Sequence, residues 1–501
     1  MVKSDEGRTV AYWEATEPLI ESRHAVPESV DVCIVGGGIA GITTAYLLAK
    51  EGTSVAVIDD GLIGGGETCR TTAHLSNAID DRIYRIEEWH GEEKARLAVE
   101  AHTSAIDSIE QNALAESIDC DLVRLDGYLI EAADGEDDLN REFAAARRCG
   151  IDVEWADSSE VVAAHNGRCL RFPRQGQFHV LKYLNGLAAA VERLGGRLVS
   201  HKRVVEWSGG ERPTVKTADG KQIAAGKLVL ATNYPLMSKM FAELPAYRTY
   251  AIALRIPAGS VRRALVWDTG DPYHYVRTQP DKDGEVLIVG GEDHRTGQAN
   301  DGDERFERLE QWAREHFPSA GEAAYRWSGQ FMETHDGLAF MGRHSDDEPN
   351  VLLITGDSGM GMTHGTAGAM LVRELVLDRP HKWSSVFDPS RLATQSITEA
   401  VPEVISSTVP YKDWLTPGEI SSESELERGA GAVMRSGLKK IAVYRDEVGV
   451  VHRRSAVCTH MGCIVRFNSL EKTWDCPCHG SRFSIDGQPI NTPAILPLED
   501  L

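Results

Sequence analysis

Two kinds of apolar run alternate along the chain: short blocks of strand length, and longer blocks with helical spacing. Val30–Val35 is a mostly apolar strand block. It runs into Gly36-Gly37-Gly38-Ile39-Ala40-Gly41, and a helix follows to about Lys50, closed by Gly52. Ser54–Ile58 is a second strand, ending at Asp59. Near residue 350 the order repeats: Val351–Thr355 reads as a strand and Thr363–Leu377 as a helix, joined by a glycine-rich turn. Between these regions Arg248–Ile256, Tyr273–Arg277 and Val286–Gly290 are candidate strands, and Lys439–Tyr444 and Val450–Arg454 are short ones near the C-terminus. Thr394–Ser424 is polar and broken by prolines, which predicts a linker. Residues 1–29 read as a surface arm with Trp13 and Pro18 as anchors. Internal repeats and low-complexity tracts are absent from the sequence.

The first glycine run has the context that gives G-x-G-x-x-G its meaning. It follows a strand, opens a helix, and has an acid about 20 residues on. Gly36 permits the tight turn, Gly38 lets a pyrophosphate approach the backbone, and Gly41 lets helix and strand pack closely. The pyrophosphate is expected on the helix N-terminus and Asp59 on the ribose hydroxyls. The later turn, with Gly356, Asp357, Gly361, Met362 and Thr363, aims a second helix N-terminus at a ligand.

The densest chemistry lies near the C-terminus. Cys458-Thr459-His460-Met461-Gly462-Cys463 and Cys476-Pro477-Cys478-His479-Gly480-Ser481 are two short boxes with four cysteines and two histidines. A Cys-x-His box paired with a Cys-x-x-His box offers two thiolates and two imidazoles, the ligand set of a Rieske [2Fe–2S] centre. Structural zinc also takes such a set. Zinc, however, gives no reason for the extra cysteine in each box or for the Gly-Ser after His479.

From about Pro410 to the end, including Lys472-Thr473-Trp474-Asp475, the chain resembles the Rieske domains of quinol-oxidising cytochrome complexes. The resemblance implies that Cys458 and Cys476 hold one iron, His460 and His479 the other, and that Cys463 and Cys478 form a disulfide. It also implies hydrogen bonds to cluster-side sulfurs from a serine and a tyrosine after the second box. Ser481 matches the serine, whereas Phe483 stands at the tyrosine position. One donor is missing, so the expected potential lies below the quinol-oxidising end of the range.

Residues 30–390 resemble the glycine oxidase and D-amino-acid oxidase superfamily of FAD enzymes, in the branch that includes gamma-glutamylputrescine oxidoreductase. The carrying segments are Gly64–His74, Leu228-Val229-Leu230-Ala231-Thr232-Asn233, Asp336–Gly342 and Thr355–Thr363. The resemblance implies an α/β FAD-binding Rossmann-type domain from 30–82, 177–235 and 336–392. It further implies an interleaved α+β substrate domain from 83–176 and 236–335, a linker at 393–424 and an all-β Rieske domain at 425–501. Arg70, Thr71, Thr72 and Ala231 would then lie along the flavin. His74 would neighbour or even carry it, with a plain polar contact as the simpler reading. Tyr250, Tyr273 and Tyr275 would face the ring, and Arg277 would clamp a substrate carboxylate. The tyrosines are equally read as ordinary half-buried strand residues, and Arg277 as a surface charge. His294 reads as structural.

Composition changes this picture little. A length of 501 residues suits about three domains. A net charge of −23 argues against nucleic acid or an anionic membrane surface as partner. The uncharged run Val32–Ala49 nears membrane length, but its glycines fit the nucleotide-binding unit better than an integral membrane segment. Nine cysteines in so long a chain make no disulfide scaffold; Cys33, Cys69, Cys120, Cys149 and Cys169 read as buried thiols. The N-terminal residues show no secretory pattern, so a cytoplasmic protein is expected.

FAD beside a Rieske cluster implies an electron path. The expected substrate is an amine or amino acid, oxidised at the carbon next to nitrogen by hydride transfer. Electrons would then pass singly through the cluster to a protein, quinone or dioxygen acceptor. The alternative is a reductase feeding an oxygenase from NAD(P)H. That needs a second dinucleotide fingerprint, and residues 90–440 contain none.

Overall fold

The computed structural model describes residues 7–132, 138–165, 167–236, 244–391 and 409–501. Its first sheet has eight strands. Phe340–Arg343, Val351–Thr355, Gln222–Leu230, Ser29–Val35, Val55–Ile58 and Arg197–Val199 lie side by side in that order, and the hairpin Val204–Ser208/Thr214–Thr217 joins Gln222–Leu230. The pairings of Ser29–Val35 with its two neighbours are parallel. Alternation along the strands divides the sheet between two cores. Val32, Ile34, Val57 and Leu352 face the core shared with the helices Ile39–Lys50, Val180–Arg193 and Gly361–Val376. Cys33, Val35, Ile58 and Leu353 face a second core with Tyr234, Leu244 and Met332.

The second sheet is nine-stranded and mostly antiparallel. It starts at the edge strand Ala323–Met332 and runs through Ala246–Ile256, Gly284–Arg295, His274–Asp281, Leu265–Asp268 and Val123–Ile130 to Arg168–Gln177. Its last strand is His74–Leu75, with His74 opposite Gln177. The expected boundary at 82 assigned this strand to the flavin unit. Its pairing instead makes it the point where the chain crosses from the first sheet into the second.

The C-terminal unit has a three-stranded sheet, Ala430–Ser436, Lys439–Arg445 and Val451–Ser455, and a four-stranded one, Arg466–Asn468, Thr473–Asp475, Arg482–Ser484 and Pro489–Asn491. Phe467, Trp474 and Phe483 fill its core. Of the expected linker, 393–408 lie outside the described residues. The remainder is attached to the C-terminal sheet rather than spacing it off. Gly418 and Ile420 bridge to Met434, and the Val433 N–H donates to Glu419 Oε2 at 2.7 Å. The polar composition that reads as linker here serves a sheet edge.

The N-terminal arm is inserted rather than superficial. Trp13 is fully buried, and its indole N–H donates to the Thr71 carbonyl. Pro18, the second expected anchor, is exposed, and its neighbour Leu19 is buried instead. Among the described residues no helix is long and apolar enough to cross a membrane.

Candidate functional site

The glycine turn is set by close approach of three backbones. Gly36 has φ +107, and a Cβ there would lie 2.2 Å from the Ala231 carbonyl oxygen. A Cβ on Gly41 would lie 1.9 Å from the Gly36 carbonyl oxygen. The turn therefore closes only with glycine at both places, and strand, helix and the end of Gln222–Leu230 meet there. The Ile39 N–H at the helix start donates to the Thr68 hydroxyl at 3.0 Å. Asp59 accepts from the Gly37 N–H at 2.6 Å and the Gly61 N–H at 2.8 Å. Burial, with Asp60 nearby, pushes its carboxyl up to about 7.

A cavity of about 650 Å³ runs from this turn across both large sheets. Gly36, Gly38, Asp59, Arg70, Thr71, Thr72, Ala231, Asp357, Gly361 and Met362 line it, as do His74, Tyr273 and Tyr275 further along. Residues 488–492, 494 and 495 of the C-terminal unit close part of its wall. Two helix N-termini, at Ile39 and Gly361, open onto it. Asp357 Oδ1 is buried there without a hydrogen-bond partner, and burial pushes this carboxyl up to about 7. A long cavity with a glycine turn at one end, helix N-termini for a pyrophosphate and an unmatched acceptor fits a dinucleotide such as FAD.

Five expected site residues do not line this cavity, the first being Gly41, whose part is the close helix–strand contact described above. Gly356, at φ +68, sits against Thr334 and turns the chain out of its strand. The Thr363 hydroxyl, in the first turn of the helix, faces His102 Nδ1 at 2.8 Å and not the cavity. The Tyr250 hydroxyl meets His294 Nε2 at 3.0 Å, and its ring packs edge-on against Phe306. Arg277 is buried with its Nη1 on the carbonyls of Thr72, Ala73 and Phe178, its Nη2 on Gln279, and its guanidinium over Trp13. It shares a strand face with Tyr275 but is covered by the Thr72–Ala73 loop and Phe178, so it clamps the loop behind the cavity and not a substrate carboxylate.

His74 and Tyr275 do line the cavity. His74 Nδ1 meets the Thr72 hydroxyl at 3.0 Å, and burial together with the Arg277 charge brings its imidazole down to about 3, so it is neutral. The Tyr275 hydroxyl pairs with Thr249 at 2.8 Å. Tyr273 donates to Asp293 at 2.9 Å, and burial raises the Asp293 carboxyl to about 7. Asp80 completes this end of the lining.

The two C-terminal boxes form matching tight loops. The Cys458 N–H donates to the Cys463 carbonyl and the Cys476 N–H to the Ser481 carbonyl, both at 2.8 Å. Cys463 and Cys478 are joined in a disulfide that ties the loops together. The Cys458 and Cys476 thiols are hydrogen-bonded, and that bond brings Cys458 down to about 7 against the effect of burial, with help from the Ser481 hydroxyl. The His460 and His479 rings stand edge-on at 5.0 Å. Burial and the neighbouring imidazole bring His460 down to about 4, and its Nδ1 is buried without a partner. Two paired thiols and two paired imidazoles carried by the same two loops, one ring with an orphaned nitrogen, fit a [2Fe–2S] cluster. Ser481 accepts from the Ala494 N–H at 3.0 Å, leaving its own proton for the sulfur. Phe483 is fully buried in the core beneath.

The cluster loops are pressed against the flavin-side sheets. The His460 ring is 6.4 Å from Tyr234. A Cβ on Gly480 would lie 2.2 Å from Ala246, and the Gly480 carbonyl accepts from Gln330 Nε2 at 3.0 Å. Glu67, in the cavity wall, accepts from the Gln330 N–H and from Asn491 of the C-terminal unit. Glu471 is buried where the arm, the second sheet and the C-terminal unit meet. It accepts from the Arg8 and Thr9 N–H groups and from the hydroxyls of Thr9 and Ser328. Sequence reasoning missed Thr68, Glu67, Gln330 and Glu471. Glu67 and Thr68 lie within the Gly64–His74 segment already singled out; Gln330 and Glu471 have partners remote in the chain and no local motif.

The FAD dependent oxidoreductase (DAO) profile matches residues 31–375, and the Rieske [2Fe-2S] domain profile matches residues 416–501. The Rieske 2Fe-2S iron-sulfur protein YhfW of Bacillus subtilis is 31% identical over 501 residues, covering 98% of this chain and 97% of that protein. Gamma-glutamylputrescine oxidoreductase of Escherichia coli is 26% identical over 388 residues, covering 74% of this chain and 89% of that protein. Among solved structures, glycine oxidase from Geobacillus kaustophilus superimposes with a TM-score of 0.62 at 21% identity, covering 73% of this chain and all of that one.

Proposed function

Because the chain belongs to the FAD dependent oxidoreductase (DAO) family and carries a C-terminal Rieske [2Fe-2S] domain, we propose that it oxidises the C–N bond of a cationic amine and passes the electrons through its own cluster to an external acceptor. One observation carries this reading: the glycine turn and residues 488–492, 494 and 495 of the Rieske domain line the same cavity. No separate encounter is then needed between flavin and cluster. Bound FAD supplies a two-electron hydride acceptor, and the cluster a one-electron relay.

In this reading Gly36, Gly38, Gly41, Asp59 and the helix start at Ile39 hold the nucleotide. Asp357 and the helix start at Gly361 face the ring. Cys458 and Cys476 hold one iron, and His460 and His479 the other. The substrate end favours an amine over an amino acid. Asp80, Tyr273 and Tyr275 offer negative and aromatic surface to a cation. Arg277, the expected carboxylate clamp, has its donors on carbonyls behind the wall. Neutral His74, beside Tyr275, adds no positive charge to this end of the cavity.

The test is anaerobic stopped-flow mixing of the holoprotein with a series of alkylamines, N-methylglycine and NADH. An amine should bleach the flavin first and reduce the cluster second. N-methylglycine should be slower by orders of magnitude, and NADH inert. Faster reduction by NADH would favour a reductase component feeding an oxygenase instead. Reoxidation by dioxygen, a quinone and a one-electron protein acceptor then ranks the acceptors.

A further inference from the structure

Five charged side chains are buried together where the second sheet meets the Rieske domain. They are Arg70, Arg248, Arg482, Glu471 and Asp475, none more than 2% exposed. Three guanidinium groups thus face two carboxylates in the core of the junction, with Glu67 the next carboxylate out, reached through Asn491. The carboxylates are well served. Burial works against ionised Glu471, yet Arg70, Arg248 and Arg482 hold its carboxyl down to about 2. Asp475 accepts from Asn468 at 2.9 Å and from the Thr473 hydroxyl at 2.7 Å.

Arg248 is not well served. Its Nη1 donates to the Ser328 hydroxyl at 2.6 Å, and its Nε stands 4.0 Å from Asp475 Oδ2. Nε and Nη2 are buried without a hydrogen-bond partner. Arginine keeps its charge inside proteins, so an under-compensated cation is fixed in a low-dielectric site. Holding it there is costly, and plain adhesion between the two units would be served better by a satisfied pair.

Its position relates it to the cluster. Asp475 immediately precedes the ligand Cys476, and Arg482 follows Ser481. The strand that carries Arg248 begins at Ala246, which abuts Gly480, the residue after the ligand His479. One-electron reduction adds a negative charge to a [2Fe–2S] cluster, and a nearby cation in low dielectric favours that state.

We propose that Arg248 sets the cluster's potential: its charge, supplied by the flavin-side sheet, raises the midpoint and makes the cluster a better acceptor for flavin electrons. It acts through the field and touches no reacting atom, so it is a positioning residue. It also offsets part of what is lost with the hydroxyl at Phe483.

The experiment is a redox titration of the full-length holoprotein, with the cluster followed by EPR and the flavin by absorbance. Arg248→Gln should lower the reduced-to-oxidised ratio of the cluster about tenfold at a fixed potential, about 59 mV for a one-electron couple. Arg248→Lys keeps the charge and should stay near wild type. Asp475→Asn removes a negative charge and should shift the midpoint upward. The flavin midpoint should move less, because neither Arg248 nor Arg482 lines its cavity. An unmoved cluster midpoint in Arg248→Gln overturns the proposal, as does a downward shift in Asp475→Asn. A merely adhesive Arg248 would lower thermal stability and leave the midpoint in place. If Arg248→Gln yields no cluster-bearing protein, the other two variants decide: Asp475→Asn must rise and Arg248→Lys must hold, or the proposal fails.

Discussion

The cluster loops and the flavin cavity solve the problem of holding a cofactor in different ways. The loops take all four expected ligands from one stretch, Cys458 to His479. Their support is local: two backbone hydrogen bonds of 2.8 Å and the Cys463–Cys478 disulfide. The cavity gathers its wall from Gly36, Asp59, Arg70, Ala231 and Asp357, and from the Rieske domain. Each of those residues depends on strand pairings that are distant in sequence. Damage to a loop should therefore stay in the loop, whereas the cavity should be sensitive to the junction as well as to its own turn.

The largest expected effects would break one site and spare the other. His479→Ala or Cys458→Ser should abolish the cluster EPR signal while FAD stays bound. Gly36→Ala should do the reverse, since its Cβ would lie 2.2 Å from the Ala231 carbonyl. FAD content should fall severalfold by absorbance, with iron content unchanged. Loss of both cofactors in His479→Ala would mean that the loops are not self-contained.

The same contrast explains what could be read from the chain. The cluster boxes and the glycine turn are contiguous, and each residue type there has its own chemical reason. The strand at Ser29–Val35 and the helices at Ile39 and Gly361 have clear periodicity and appear within a residue or two of expectation. Residues on the second sheet were harder. Tyr275 and Arg277 are two apart on one strand, and periodicity gives them a common face but not which loops cover it. Tyr275 lines the cavity and Arg277 binds carbonyls behind it. The junction was illegible: Glu471 lies in Leu470-Glu471-Lys472, which reads as an ordinary polar turn, and its partners Thr9, Arg70 and Ser328 are spread across the chain.

The next effect tests dependence on the junction. Glu471→Ala leaves Arg70 and Arg248 buried with less compensation, a loss of about 3–5 kcal/mol for a broken buried pair. The melting temperature should drop, and FAD should be released more readily than iron. The folded-state carboxyl is depressed to about 2 from an ordinary 4.5. Its contribution is therefore fully present above about pH 4.5 and lost as pH falls towards 2. The stability gap between wild type and variant should stay constant from pH 7 to 5 and close below that, which urea unfolding across pH would measure. A gap that closed instead on raising the pH would contradict this assignment.

A smaller effect probes the loops' own support. The disulfide spans a sequence separation of 15, for which chain-entropy arguments give about 3 kcal/mol. Cys463→Ala/Cys478→Ala should still bind iron but lose it faster on heating. Equal half-lives of the cluster signal at elevated temperature would assign the loop stability to backbone bonds alone.

The smallest shift is the most specific to the cluster loops. Ser481 is buried, takes a hydrogen bond from the Ala494 N–H, and turns its proton to the Cys458 sulfur. Phe483 lies two residues on, opposite Trp474 across the strand pair, with its ring fully buried. A hydrogen bond to a cluster sulfur stabilises the reduced, more negative form and raises the midpoint. Rieske centres span roughly −150 to +300 mV, and with one donor in place of two this one should fall below the upper end. Phe483→Tyr adds a hydroxyl at the edge of a packed core, so its cost in stability is small only if the new group finds a partner. The expected result is a modest rise in midpoint with Phe483→Tyr and a fall with Ser481→Ala, both read by EPR-monitored titration, with little change in flavin potential. Should the tyrosine hydroxyl be seen bonded to sulfur in a crystal structure while the midpoint stays put, the hydrogen-bond account of this cluster's potential is wrong. The field of the buried arginines at the junction would then be left as the main influence on it.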